Sequence, residues 1–230
     1  MQNHMHRRSL ILALAVAAAG PAFAQQPFLG RLTQEEATRG IREALALAAR
    51  NSTGRLGQVN GFWGAPRVRI PLPGMLGQSQ RALSGVGLSG PLDTLQENLN
   101  HAAETTMPRA AGLFVDAVRT ITIADAIEIV RGPQDSATRY LRGRTEPRLT
   151  TLLKPPMREA LTQSGAFTLL RTALREVGLA SMTNDMRTEI VDFSTARALD
   201  ACFLYIGEEE RAIRGNPLRQ TTPILRRVFG

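Results

Sequence analysis

The chain has 230 residues, 43% of them hydrophobic, with 28 basic and 20 acidic side chains and a net charge of +8. That apolar content suits a folded globular domain and excludes a disordered, poorly hydrophobic chain. Cys202 is the only cysteine, which excludes an internal disulfide. The basic excess, all arginine except Lys154, favours anionic surfaces, but no basic stripe interleaved with aromatics supports nucleic acid as a partner.

Arg7 and Arg8 precede an apolar run at 10–19, then Gly20-Pro21 and Ala22-Phe23-Ala24, with small residues at the two positions a signal peptidase reads. This order predicts a cleavable signal peptide at 1–24, cut after Ala24, a short linker at 25–32 and a helical domain at 33–230. The apolar run is too short for a membrane span, which needs about 20 residues. No cysteine stands at the junction to take a lipid, so the expected destination is the periplasm or the medium, with no transmembrane segment after cleavage. Arg7-Arg8-Ser9-Leu10-Ile11 also fits the twin-arginine pattern, so both that route and the general secretory route stay open.

Helix signals fill the rest. Thr33-Gln34-Glu35-Glu36 reads as a capping box, in which hydroxyl and carboxylate satisfy each other's backbone N–H. It opens a helix with Ile41, Leu45 and Ala48 on its apolar face. Ser89-Gly90-Pro91 starts a second helix with Leu92, Leu95, Leu99 and Ala102/Ala103, and Pro108 begins a further segment with Leu113, Phe114, Ala117 and Val118. Thr122 to Asp125 forms another cap, ahead of Ala126, Ile127, Ile129, Val130 and a Gly132-Pro133 stop. Helices are then expected at about 135–143, 146–163, 166–177 and 187–214, the last ending at Gly215-Asn216-Pro217. Thr221-Thr222-Pro223 caps a short final helix carrying Ile224, Leu225, Val228 and Phe229. The predicted fold is all-α: one multi-helix, bundle-like domain.

One stretch, near 58–74, is too rich in proline and glycine to be helical. Within 60–74, Val68 and Ile70 alternate with Arg67 and Arg69, which predicts an extended segment with two residues in and two out. Such a long loop is either functional or packed over the core. The packing reading makes it a strap with Phe62 and Trp63 as plugs; the functional reading makes it the first place to look for a ligand or partner.

At this stretch the chain resembles the bacterial domain of unknown function (DUF) 4197 family. The matching pieces are Gly40-Ile41-Arg42-Glu43-Ala44-Leu45, Asn60-Gly61-Phe62 with Ile70-Pro71-Leu72-Pro73, Asn100, and Ala102-Ala103-Glu104. They continue through Asp116-Ala117-Val118, Thr122 with Asp125-Ala126, and Asp135 with Ala137-Thr138 and Tyr140. Ala198-Leu199-Asp200, Glu208-Glu209-Glu210, Ile213-Arg214, Asn216-Pro217, Thr221-Thr222 and Val228-Phe229-Gly230 complete them. His101 and Gln220 depart from the family pattern, where arginine is expected. The resemblance implies an exported helical protein and brings no activity with it. Asn60, Phe62, Trp63, Arg67, Arg69, Asn100 and Glu104 are the candidate residues for binding a ligand or partner.

Other motifs carry less. Gly85-Val86-Gly87-Leu88-Ser89-Gly90 spells a dinucleotide-type G-x-G-x-x-G but lacks a strand before it and an acidic residue about 20 positions on, so it reads as an interhelical turn. Glu97, His101 and Glu104 share one helix face, a geometry a metal could use. The expected domain has no second histidine, and a solvated polar face is the simpler reading. Glu208-Glu209-Glu210 with Arg211 and Arg214 also reads as a solvated face supported by i,i+3 and i,i+4 pairs. Cys202 lies in an apolar helical stretch and reads as a small buried residue. No nucleophile–base pair, cofactor motif or metal motif emerges.

Two function classes remain. The first is a non-enzymatic exported protein binding a protein partner, an envelope component such as anionic lipid, or an apolar small molecule. The alternative is a metal-dependent or acid/base hydrolase-like enzyme whose carboxylates (Glu104, Asp116, Asp125, Asp135) are gathered by the fold. Membrane-surface association through the final helix is a minor third option, because eight residues supply little affinity.

Overall fold

The structure is a computed structural model that describes residues 33–176 and 180–229. The expected signal peptide at 1–24 and linker at 25–32 lie outside the described residues. At Thr33 the side chain accepts the Glu36 N–H at 3.1 Å and Glu36 accepts the Thr33 N–H at 3.0 Å. This capping box starts α1 (Gln34–Leu56). There follow α2 (Gly74–Ser84), α3 (Gly90–Val118), α4 (Ile123–Arg131), α5 (Ser136–Gln163), α6 (Ala166–Glu176), α7 (Thr183–Gly215) and α8 (Pro223–Phe229). Short 3-10 turns precede α7 and α8, and every regular element among the described residues is helical.

The four long helices α1, α3, α5 and α7 form a closed ring in that cyclic order, each packed chiefly on its two neighbours. Neighbours run antiparallel: Lys154 pairs with Asp192 at 2.9 Å and Thr138 meets Glu210 at 2.6 Å, so α5 and α7 pass in opposite directions. The ring encloses one apolar core, in which Ile41, Leu45, Leu99, Met107, Phe114, Leu141, Leu149, Leu199 and Ile206 are all buried. Phe114 and Phe203 meet edge to face, centroids 5.3 Å apart. Truncating such a ring to alanine costs about 3–5 kcal/mol, so Phe114 is a position where one substitution threatens the fold. Around the ring, α4 and α8 cover α1, and α6 covers α3.

Two sequence expectations give way here. Pro108 begins no new helix, and no break separates 143 from 146: Pro108 lies inside α3, and Pro147, Pro155 and Pro156 lie inside α5. Each proline removes one helix hydrogen bond. The buried stripe stays in phase across them, through Leu99, Ala103, Met107, Ala110 and Phe114 on α3, and burial of that stripe outweighs the lost bonds.

The final helix is the other correction to a functional option. Ile224, Leu225 and Val228 are buried, and α8 lies along α1. Its apolar face is therefore spent on the fold, not offered to a membrane. Gly40 makes this approach possible: a Cβ there would sit 2.5 Å from a Val228 methyl. Cys202 is fully buried, its thiol 3.6 Å from the Met107 sulfur.

Candidate functional site

The chain leaves α1 at Leu56 and crosses α3 before entering α2, so residues 57–73 form a strap over the bundle. Its first turn needs special backbone. Asn60 adopts φ +64°, in the left-handed region that asparagine tolerates. A Cβ on Gly61 would lie 2.4 Å from the Leu56 carbonyl oxygen, so only glycine fits there. Residues 61–69 continue as consecutive turns, with Val68 N–H and Arg69 N–H both donating to the Ala65 carbonyl at 3.0 and 2.9 Å. The expected extended stretch is therefore shorter, beginning only at about residue 69. The alternation holds in burial: Val68 and Ile70 are buried while Arg67 and Arg69 are exposed.

Two side chains of α3 hold the strap. Glu104 is buried, and its Oε1 accepts the Phe62 and Trp63 N–H groups, each at 3.0 Å. Its Oε2 accepts the Asn60 N–H at 3.2 Å and faces His101 Nδ1 at 2.8 Å. Asn100, one turn earlier, receives the Ile70 N–H on Oδ1 and donates from Nδ2 to the Ile70 carbonyl, both at 2.8 Å. It treats Ile70 as a neighbouring strand would, and Gln96 adds a bond to the same carbonyl at 3.2 Å. A buried carboxylate is costly unless its lone pairs are filled, and four donors fill those of Glu104.

All seven candidate residues thus meet in one place, but with different roles. Phe62 is a fully buried plug. Trp63 is only half-buried, its ring covered by the Arg69 guanidinium at 4.6 Å, while Arg69 Nε donates to the Trp63 carbonyl at 2.6 Å. Arg67 reaches Glu208 of α7 at 2.6 Å. Asn60, Asn100 and Glu104 set the backbone of the strap. Gln96 was missed, though its place one turn before Asn100 is a readable signal.

The acidic run on α7 repeats the device, which corrects the reading of it as a solvated face. Glu210 is buried and accepts the Ala137 and Thr138 N–H groups at 3.0 and 2.8 Å, together with the Thr138 hydroxyl at 2.6 Å. It caps the start of α5, where the orphan N–H groups favour an anion. Arg214 joins it at 2.9 Å and also donates to the Ile129 carbonyl at 3.2 Å. Glu208 pairs with Arg67 and not with Arg211, which reaches Asp135 at 3.4 Å. Glu104 likewise leaves the supposed solvated face of Glu97 and His101.

The carboxylates named for an enzyme do not converge. Glu104 is spent on the strap, Asp116 pairs with Arg119 at 3.1 Å, and Asp135 pairs with Arg139 at 2.8 Å. Asp125 belongs to the α4 capping box; the Thr122 and Tyr140 hydroxyls hold its carboxyl below the usual range, and burial with that carboxylate raises the Tyr140 phenol. Burial pushes the Cys202 thiol up to about 12, which removes it as a nucleophile. Among the described residues no group of three or more His, Cys, Asp or Glu is placed to hold a metal ion, and no helix is long and apolar enough to cross a membrane. The glycine motif at 85–90 is the α2–α3 turn, closed by Leu88 N–H on the Leu83 carbonyl at 3.0 Å.

An apolar groove lies beyond the strap, not beside Trp63. Met75, Leu76 and Leu83 of α2, Leu88, Leu92 of α3, Leu174 of α6 and Met186 of α7 line a space of about 80 Å³. At its rim Met75 and Leu88 are 45% and 65% exposed. No curated protein and no solved structure matches the chain. The family model described as protein of unknown function (DUF4197) matches residues 31–230, and the chain belongs to that family.

Proposed function

We propose that this chain is an exported, periplasmic protein that works by binding, not by catalysis, and that it seats an apolar ligand group between α2, α3, α6 and α7. The observation that carries the reading is the groove lined by Leu83, Leu88, Leu92, Leu174 and Met186. Apolar clefts with flexible methionines at the edge adapt to varied apolar shapes. Its volume of about 80 Å³ is well below the roughly 300 Å³ of a site that swallows a whole small molecule. The groove therefore takes one apolar end of something larger. Export rests on the leader at 1–24, and the spending of every central carboxylate on backbone or arginine supports binding over acid–base chemistry.

The test is native mass spectrometry of protein recovered from the periplasm of its own cell, together with titration by the apolar dye N-phenyl-1-naphthylamine. The expected result is a mature chain starting at Gln25, a retained apolar ligand, and dye fluorescence that Leu88→Glu abolishes. Retention in the cytoplasm overturns the export reading. A co-purifying metal ion, or dye binding equal in wild type and Leu88→Glu, overturns the binding reading.

A further inference from the structure

A second cleft, unrelated to the apolar groove, lies between the start of α5 and the middle of α7. Asp135, Thr138, Arg139 and Arg142 form one wall; Asp200, Phe203, Leu204, Gly207 and Arg211 form the other and the floor. It holds about 420 Å³, inside the roughly 300–1,000 Å³ typical of small-molecule sites.

Its charges are arranged with guanidinium groups in excess. Asp135 is shared by Arg139 at 2.8 Å and Arg211 at 3.4 Å. Asp200 is shared by Arg142 at 2.5 Å and Arg197 at 3.3 Å. Glu146 supplies a third carboxylate, to Arg142 at 2.9 Å. Among the residues that line the cleft, the three guanidiniums of Arg139, Arg142 and Arg211 meet the two carboxylates of Asp135 and Asp200, and each guanidinium has five N–H donors, more than these pairs use. The surplus positive charge and free donors suit one added anionic head with oxygen acceptors.

The floor is apolar. Phe203 is buried beneath the Arg142 guanidinium, 5.3 Å from ring centre to Cζ, and Leu204 is half-buried beside it. Gly207 stands well inside α7, where glycine costs about 1 kcal/mol relative to alanine. Close packing does not demand it, because a Cβ there would meet its nearest neighbours, on Arg211 and Thr138, at an ordinary 3.7 Å. Only a side chain longer than alanine at Gly207 would project among Thr138, Leu204 and Arg211, which line the cleft.

We infer that this cleft binds a small oxyanion, a carboxylate or phosphate head on a flat apolar body, with the head held by Arg139, Arg142 and Arg211 and the body resting over Gly207 and Leu204. The probe is phenyl phosphate, titrated calorimetrically into the mature protein at fixed ionic strength, with inorganic phosphate as the head alone. Phenyl phosphate is expected to saturate and to bind roughly tenfold more tightly than inorganic phosphate, the margin expected of one buried apolar face. Gly207→Leu fills the floor and should weaken phenyl phosphate at least about tenfold with little change for inorganic phosphate. Arg211→Gln and Arg139→Gln, whose exposed side chains leave the fold intact, should weaken both probes. Arg119→Gln removes the same charge outside the cleft and should change neither. No saturation by about 10 mM phenyl phosphate, or equal weakening by Arg119→Gln and Arg211→Gln, overturns the assignment. So does tighter binding to phosphatidylglycerol vesicles that persists in Gly207→Leu, because the charge would then serve a lipid surface and not this cleft.

Discussion

Replacing Glu104 by glutamine tests the account of the strap most directly. The carboxylate takes three backbone N–H groups at 3.0–3.2 Å and the His101 ring at 2.8 Å. A glutamine amide keeps one oxygen, which serves at most two of those donors, and turns an N–H₂ toward the others. Each hydrogen bond to a charged group contributes about 1.5–3 kcal/mol, and a donor left facing a donor forfeits its solvation as well. Because Glu104 is only 6% exposed, solvent neither screens these bonds nor replaces them. Losing two gives an expected destabilisation of about 3–5 kcal/mol, comparable to breaking a buried ion pair. For a domain of this size that lowers Tm by roughly 10 °C. Urea unfolding followed by the fluorescence of Trp63, the only tryptophan and itself on the strap, should show the lower midpoint. Amide exchange at Phe62 and Trp63 should quicken far more than exchange in the middle of α5. A loss under about 1 kcal/mol, or unchanged protection at Phe62 and Trp63, would refute the reasoning.

Three further outcomes follow from the packing. Gly40→Ala places a methyl 2.5 Å from Val228 and should cost about 1–3 kcal/mol by overpacking; Val228→Ala in the same chain should restore most of it, measured by a double-mutant cycle in urea. Cys202, with its thiol pushed up to about 12 by burial, should resist iodoacetamide at neutral pH until the protein unfolds, and rapid labelling of the native state would contradict its placement. Asp125 is held below the usual carboxylate range, first by the Thr122 hydroxyl and then by Tyr140. A carboxyl lowered by folding stabilises at neutral pH and loses that contribution as pH falls through its folded value. Thr122→Val should therefore flatten the acid limb of stability, read by circular dichroism from about pH 7 to about pH 2, and an unchanged limb would count against the cap.

How much of this was legible depends on how local the cause was. Both capping boxes could be read, because hydroxyl and carboxylate stand three residues apart and need nothing else. The closing residues of α8 could be read from their spacing, as could the in–out alternation at 67–70. Prolines 108 and 147 misled because their cost is local, whereas the buried stripe that outweighs it runs the length of a helix. Glu210 was hidden for a related reason. Its partners, Ala137 and Thr138, lie more than 70 positions away, and nothing in Glu-Glu-Glu-Arg tells which acid turns inward. Asn100 and Glu104 were singled out alongside the strap through family likeness, but the hydrogen bonds that tie them to it belong to the fold.

The polar residues that carry the family likeness share one kind of work. Asn100 and Glu104 fix the strap backbone, Glu210 with Thr138 caps α5, Asp125 with Thr122 caps α4, and Asn216 accepts the Leu218 N–H at 3.0 Å to shape the last turn. Each satisfies backbone groups that the bundle buries or leaves orphaned, as a chain without disulfides requires. These residues specify how the helices join, and their lone pairs are not free for a substrate. Function is therefore to be sought away from these joints: in the groove behind Leu88 and in the arginine cleft over Gly207. Gly207 separates the two kinds of constraint. An alanine fits there sterically, and α7 would be the more stable for it, whereas only a longer side chain reaches into the cleft and so tests the binding role.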